Sequence, residues 1–276
     1  MTNKIRLAGV IGDPIAHSRS PKLHGHWIQR YGLSGYYIPI HVRHDDLAQV
    51  LRTLPKMGFS GVNVTIPHKE YVLQLADTVT DRAALIGAAN TLTFTGAGMI
   101  QADNTDGIGF LANIRQAISG WRASRGPALV LGAGGAAKAI VSALLSDGAP
   151  QVTVVNRTRA RAEALKDHFG ARVVVQDWTQ IPNLVGSSAL LVNTTSLGME
   201  GQMPLALDLS RLHPPTVVTD IVYTPLQTQF LCDAAAKGCP TVDGLGMLLH
   251  QAVPGFERWF SYTPEVDDEL RQAVLS

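Results

Sequence analysis

Leu129-Val130-Leu131-Gly132-Ala133-Gly134-Gly135-Ala136-Ala137 reads as a short buried strand running through glycines straight into an apolar helix. Gly132, Gly134 and Ala137 fall on the G-x-G-x-x-G/A spacing. The first such residue allows a tight turn, the second lets backbone approach a pyrophosphate, and the third permits close packing of helix on strand. The helix start adds unpaired N–H donors and the positive end of the helix dipole, which together favour an anion. Packing alone also produces glycine turns of this kind, so the surroundings must decide between packing and ligand binding. The next strand, 151–155, ends about 20 residues on, where an NAD enzyme places an acid for the ribose hydroxyl. Asn156, Arg157, Thr158, Arg159 and Arg161 stand there instead, with no carboxylate among them. A planar guanidinium pairs bidentately with phosphate, so this set suits a 2′-phosphate and predicts NADP(H) as cofactor. Arg159 reads as part of a solvated helix face.

Outward from this turn the pattern repeats strand and helix. Strands are expected at 129–131, 152–155, 172–175, 190–193 and 217–222, with helices running to residue 145, to about residue 169 and over 227–236. After the strand at 190–193, Thr194-Thr195-Ser196-Leu197-Gly198-Met199 forms a polar loop at the carboxyl edge of the predicted sheet, where open parallel sheets bind ligands. The polar, punctuated stretch 120–127 separates this unit from an earlier one, with the boundary between residues 106 and 120.

The chain has 276 residues, more than one core usually serves, so two domains are expected. Hydrophobic content of 46% against 16% charged residues suits sheets covered on both faces by helices. A net charge of +1 provides no large field for nucleic acid or an anionic membrane, which leaves small molecules as the expected partners. Two cysteines, no C-x-x-C, no signal sequence and no membrane-length apolar run predict a cytoplasmic protein. The nine histidines contain no H-E-x-x-H, and His24 and His26 point to different helix faces, so no metal site is expected.

The first unit opens with an apolar run at 7–11 closed by Gly12, then a loop carrying Ser18 and Ser20-Pro21. Ser20 followed by Pro21 signals a helix start with Ser20 as cap, and hydroxyls between a strand end and a helix start suit a carboxylate. A strand with alternating burial is expected over 36–42 and a helix over 46–57. In Gly61-Val62-Asn63-Val64-Thr65-Ile66-Pro67-His68-Lys69 the valines alternate, so Asn63 and Thr65 share the other face of a strand stopped by Pro67. Lys69 is placed in the first turn of a helix over 70–77, the end at which a cation is disfavoured. A short helix over 81–88, strands over 90–94 and 99–102, and a long helix opened by Asp106 complete the unit, and Thr263-Pro264 signals a closing helix.

Seven collinear stretches carry a family resemblance: Ser18-Arg19-Ser20-Pro21, Asn63 to Lys69, Gly87-Ala88-Ala89-Asn90-Thr91, Asn104-Thr105-Asp106-Gly107, Gly132 to Ala137, Asn156-Arg157-Thr158 and Asp243-Gly244-Leu245-Gly246-Met247. In this order, across roughly residues 7–260, they resemble the shikimate dehydrogenases. The resemblance implies an open α/β substrate domain at 1–105, completed by 245–276, and a Rossmann-type doubly wound parallel sheet at 106–244, with a cleft between them. It implies reversible NADPH-dependent reduction of 3-dehydroshikimate to shikimate, with Lys69 and Asp106 as the catalytic pair. Ser18 and Ser20 would hold the carboxylate, Asn90 and Asp106 the ring hydroxyls, and Thr65 and Lys69 the reacting side. Asn63 would complete the cradle, and Tyr223 and Gln251 would close over the substrate. The cofactor would meet Gly132, Ala133, Gly134, Gly135, Ala136, Asn156, Arg157, Thr158 and Arg161, with Thr194, Ile221, Gly244 and Met247 along its nicotinamide half, and Asp81 is carried over as a further contact.

The chemistry agrees with the resemblance, because an ammonium held against a carboxylate can both polarise a ketone oxygen and supply its proton. Two readings stand beside this one: a dehydrogenase for quinate or an aminated analogue, and a non-catalytic NADP sensor on the same fold. The paired serines favour shikimate, and retention of both Lys69 and Asp106 argues against a sensor. A monomer and a homodimer fit the sequence equally.

Overall fold

A computed structural model describes residues 5–276. The described chain forms two compact units, one holding residues through Asp106 together with Leu249–Ser276, the other Gly107–Leu248. The division falls one residue after the expected start of the second domain and four after its expected end, because the helices Asp106–Ala117 and Leu245–Phe260 each run across a boundary.

The first unit is built on a mixed sheet of β1 (Arg6–Gly12), β2 (Gly35–His41), β3 (Phe59–Val64), β4 (Thr78–Val79), β5 (Thr91–Phe94) and β6 (Ile100–Asp103), in the order β2-β1-β3-β5-β6-β4. β1 runs parallel to both β2 and β3, whereas β5 is antiparallel to β3 and to β6. β3 is central and buried on both faces, so Asn63 is enclosed and does not lie on a half-exposed surface. The alternation expected for β2 stops after Tyr37, and Tyr36, Ile38 and Pro39 are exposed. β2 is an edge strand, where a proline costs no ladder bond. β4, only two residues long, carries too little pattern to be seen in the sequence.

Three expected local features differ. Lys69 lies in a turn that precedes a helix of only Val72–Leu75, because the backbone at residues 67–71 folds back on itself, with the His68 N–H donating to the Thr65 carbonyl at 3.0 Å and the His68 ring bonded to the Val42 carbonyl oxygen at 2.7 Å. Ser20 is already inside the helix Ser20–Arg30 and does not cap it, whereas the Ser18 hydroxyl accepts the Ser20 N–H at 3.3 Å. The last helix, Asp268–Leu275, begins beyond Thr263-Pro264 because the Asp267 carboxylate caps it, accepting the Leu270 N–H at 3.0 Å. A carboxylate at that position also suits the positive end of the helix dipole.

The second unit holds six parallel strands: β7 (Ala128–Leu131), β8 (Val152–Val155), β9 (Val173–Gln176), β10 (Leu190–Asn193), β11 (Val217–Asp220) and β12 (Thr241–Val242), in the order β12-β11-β10-β7-β8-β9. Numbered within the unit, this is the 3-2-1-4-5-6 order of a doubly wound sheet. Four-residue strands buried throughout, such as Leu129-Val130-Leu131 and Leu190-Leu191-Val192, separate two apolar layers, one on each face of the sheet. The strand order reverses between β7 and β10, and that switch point is where such sheets open for a ligand.

Candidate active site

In the first unit the chain brings together side chains far apart in sequence. Lys69 Nζ donates to Asp106 Oδ2 at 2.7 Å, a contact between residues 37 positions apart. Lys69 is 31% exposed and Asp106 13%, so the pair is accessible without being fully solvated. The other Asp106 oxygen accepts from Asn90 Nδ2 at 2.8 Å, and the same amide nitrogen reaches Gln251 Oε1 at 3.1 Å. Asn90 Oδ1 accepts the Thr105 N–H at 2.9 Å, which fixes which way the amide faces. The Thr105 hydroxyl donates to the Gln251 carbonyl at 2.8 Å, so the helix Leu245–Phe260 is tied to the same cluster.

Asn63, from β3, donates to the Asn90 carbonyl and accepts the Tyr37 hydroxyl at 2.7 Å. His24 stacks on Tyr37 with ring centroids 3.9 Å apart and is fully buried, and that burial lowers its pKa to about 3. Ser20 is buried and Ser18 half-buried at the start of the eleven-residue helix Ser20–Arg30. Thr65, just past β3, lies against Gly12, where an added Cβ would stand 2.5 Å from the Thr65 methyl. Only glycine lets that loop approach so closely.

Asp103, the residue that ends β6, is fully buried beneath this cluster. Burial pushes its carboxyl up, but hydrogen bonds from Arg82, Arg258 and Thr80 outweigh that and bring it down to about 2. Asp103 also accepts the Asn104 N–H at 2.8 Å, and Asn104 Oδ1 accepts the Asp106 N–H at 3.1 Å, so the brace reaches the catalytic candidate through one residue. No local motif marks Tyr37, Arg82, Asp103 or Arg258 as part of the site, because their partners lie 21 to 155 residues away.

In the second unit a pocket of about 810 Å³ opens at the switch point. Gly132, Ala133, Gly134, Asn156, Arg157, Arg161 and Thr194 line it, seven of the expected cofactor residues. Gly132 has φ +110°, and a Cβ there would stand 2.5 Å from Thr194 Oγ1, so the position admits only glycine. A Cβ at Gly134 or Gly135 would meet nothing within 4 Å, which leaves the start of the helix Gly135–Ser146 open to a ligand. Arg159 is paired with Glu163 and Asp177, whereas neither Arg157 nor Arg161 has an ion pair among the described residues. A pyrophosphate and a 2′-phosphate therefore fit the donors present.

Gly135 and Ala136 form the first turn of that helix, and Thr158 precedes the helix Arg159–Phe169. Gly244 passes so close to Ile221 that a Cβ would lie 2.4 Å from the Ile221 carbonyl oxygen. Met247 and Ile221 pack on the core of this unit, and Tyr223 is half-buried in it. Asp81 opens the helix Asp81–Ile86 in the first unit, exposed, and does not line the pocket. Trp178, Pro204, Leu205 and Ala206 line the pocket without having been singled out, since no motif marks them. No cluster of three or more metal-ligand side chains occurs among the described residues, and none of their helices is long and apolar enough to cross a membrane.

Residues 10–92 match the shikimate dehydrogenase substrate binding domain and residues 114–199 the shikimate / quinate 5-dehydrogenase domain. The chain is 75% identical to the shikimate dehydrogenase (NADP(+)) of Jannaschia sp. strain CCS1, over 99% of this chain and 98% of the relative. The chain belongs to the shikimate dehydrogenase family. Among solved members, shikimate 5-dehydrogenase from Thermus thermophilus, in complex with NADP(H) and shikimate, superposes with a TM-score of 0.86 at 36% identity, covering 99% of each chain. Quinate dehydrogenase from Corynebacterium glutamicum, in complex with NAD, superposes with a TM-score of 0.91 at 31% identity, again over 99% of each chain. These two relatives differ in the substrate they are named for and in the nicotinamide cofactor of their complexes.

Proposed function

We propose that the chain catalyses reversible NADPH-dependent reduction of 3-dehydroshikimate to shikimate, with Lys69 and Asp106 as the catalytic pair. The observation that carries this reading is the 2.7 Å contact between Lys69 and Asp106, with Asn90 holding the second carboxylate oxygen. NADPH, when bound, supplies the hydride. Lys69 donates a hydrogen bond and then a proton to the ketone oxygen, and in the oxidative direction it takes the proton from the hydroxyl. Asp106 keeps the amine aimed, and Asn90 stops the carboxylate from rotating away.

Ser18 and Ser20 bind the substrate carboxylate at a helix start, where hydroxyl and backbone donors converge. Asn63, Thr65, Asn90, Asp106 and Gln251 supply the polar contacts to the ring, and Tyr223 covers it. Gly132 to Ala136 receive the pyrophosphate, while Asn156, Arg157, Thr158 and Arg161 receive the adenosine end with its 2′-phosphate. Thr194, Ile221, Gly244 and Met247 lie along the nicotinamide half, and Asp81 is a further cofactor contact. The unpaired guanidinia of Arg157 and Arg161 and the absence of an acid after β8 support NADP over NAD, in contrast to the NAD complex of the quinate-named relative. We further propose that the protein works in the cytoplasm, as a monomer or homodimer.

The test is to follow nicotinamide absorbance with shikimate, quinate and an aminated analogue, each with NADP and with NAD. Turnover is expected with shikimate and NADP. Turnover of quinate with NAD alone would overturn the choice of both substrate and cofactor.

A further inference from the structure

The pocket wall at 194–197 is shaped by two fully buried side chains that the reading above does not use. Asn193 ends β10 and Asp220 ends β11, and the two are paired in register on neighbouring strands. Asn193 Nδ2 donates to Asp220 Oδ1 at 2.9 Å, and Asn193 Oδ1 accepts from both the Thr195 N–H at 3.0 Å and the Thr195 hydroxyl at 2.8 Å. Asn193 Nδ2 also reaches the Leu197 carbonyl at 3.2 Å, and the Leu197 N–H donates to Thr195 Oγ1 at 3.1 Å. The whole loop is thus folded around one amide. Thr194, Thr195, Ser196 and Leu197 all line the pocket.

An amide has two orientations of nearly equal shape and opposite polarity. Turned over, Asn193 would point its NH₂ at the Thr195 N–H, donor against donor, and the loop would have to move. Asp220 excludes that orientation. Its Oδ1 also accepts the Val222 N–H at 3.0 Å, and its Oδ2 accepts the Thr228 hydroxyl at 2.8 Å. The Thr228 hydroxyl can rotate to accept a proton placed on Oδ2, so Oδ1 stays an acceptor whichever form the carboxyl takes. What the loop needs from position 220 is this acceptor, not a charge.

We propose that Asp220 is a positioning residue for dinucleotide binding, acting through Asn193 to hold the loop at residues 194–197 in the shape that forms the pocket wall. The inference rests on the cofactor reading given above. Binding of NADPH to the full chain, measured by calorimetry, separates the two: no binding by the unsubstituted chain removes the cofactor reading and this inference with it. Asp220→Ala removes the acceptor and is expected to weaken NADPH binding by about tenfold or more, the effect of one or two net hydrogen bonds. Asp220→Asn keeps an acceptor oxygen and places its NH₂ toward Thr228, so its affinity is expected to lie nearer to the unsubstituted chain than to Asp220→Ala. In Asp220→Ala, KM for shikimate at saturating NADP is expected to rise by less than NADPH affinity falls, since the network reaches the substrate-side residue Tyr223 only through the neighbouring Val222 N–H. A smaller loss in Asp220→Ala, or equal losses in the two variants, overturns the proposal. Should circular dichroism show Asp220→Ala unfolded, Asn193→Ala decides: loosening by about tenfold supports it, and unchanged affinity overturns it.

Discussion

The polar cluster around Lys69 and the pocket around Gly132 reach order by opposite routes. The first is made of side chains from residues 37, 63, 69, 90, 105, 106 and 251, each holding another at hydrogen-bond distance. The second is made of backbone at strand ends, where glycine removes a side chain and the parallel sheet fixes where each loop emerges. A dinucleotide offers phosphates that any set of free N–H groups can satisfy, so geometry from one local motif is enough. Proton delivery to one oxygen needs a particular amine in a particular place, and only cross-bracing by distant residues supplies that.

This contrast can be broken where it is sharpest. Lys69→Ala is expected to lower kcat on the order of 10²–10⁴-fold, the range for loss of a positioned general acid. NADPH affinity in the same variant should change by less than about threefold, because the contacts assigned to the cofactor lie on other residues; equal losses in kcat and affinity would remove the distinction. On the other side, replacing Arg157 and Arg161 together by alanine should raise KM for NADP by about 10- to 100-fold, as expected for lost charge-assisted hydrogen bonds to a phosphate. KM for NAD should barely move, and a parallel rise would show that the arginines do not read the 2′-phosphate.

The packing beneath the polar cluster should show in the pH dependence of stability. His24 is buried with its pKa lowered from 6.5 to about 3, so the folded state binds fewer protons than the unfolded chain between those values. Its contribution is therefore fully present above pH 6.5 and is lost as pH falls toward about 3. His250, lowered by burial to about 4, acts in the same direction. His24→Phe keeps a ring against Tyr37 and cannot take up a proton, so its melting temperature should fall less than that of the unsubstituted chain between about pH 7 and pH 5. Identical slopes would show that His24 does not titrate on unfolding. The smallest effect is expected at Arg159, whose ion pairs with Glu163 and Asp177 are exposed: Arg159→Ala should leave the melting temperature nearly unchanged and NADP binding unchanged.

The sequence by itself determined the second unit in outline. Five of its six strands, the glycine turn and the basic residues after β8 are local signals, and each emerges within a residue or two of where period and composition put it, whereas the two-residue β12 carries too little pattern to be expected. Locally Lys69 stands out only as a cation at an expected helix start and Asp106 only as a helix-opening carboxylate, so both take a chemical role only through an ordered set of motifs. The turn that holds Lys69 shows why: periodicity suggested a helix there, and the outcome depends on hydrogen bonds of His68 with Thr65 and Val42, which no local window contains. The Asp103 brace with Arg82 and Arg258, the Tyr37 hydroxyl on Asn63, and the Asn193–Asp220 pair were decided by tertiary structure alone. Backbone turns are written in neighbouring residues because sterics act over a few bonds, whereas the pairing of two polar side chains depends on which strands the fold sets side by side.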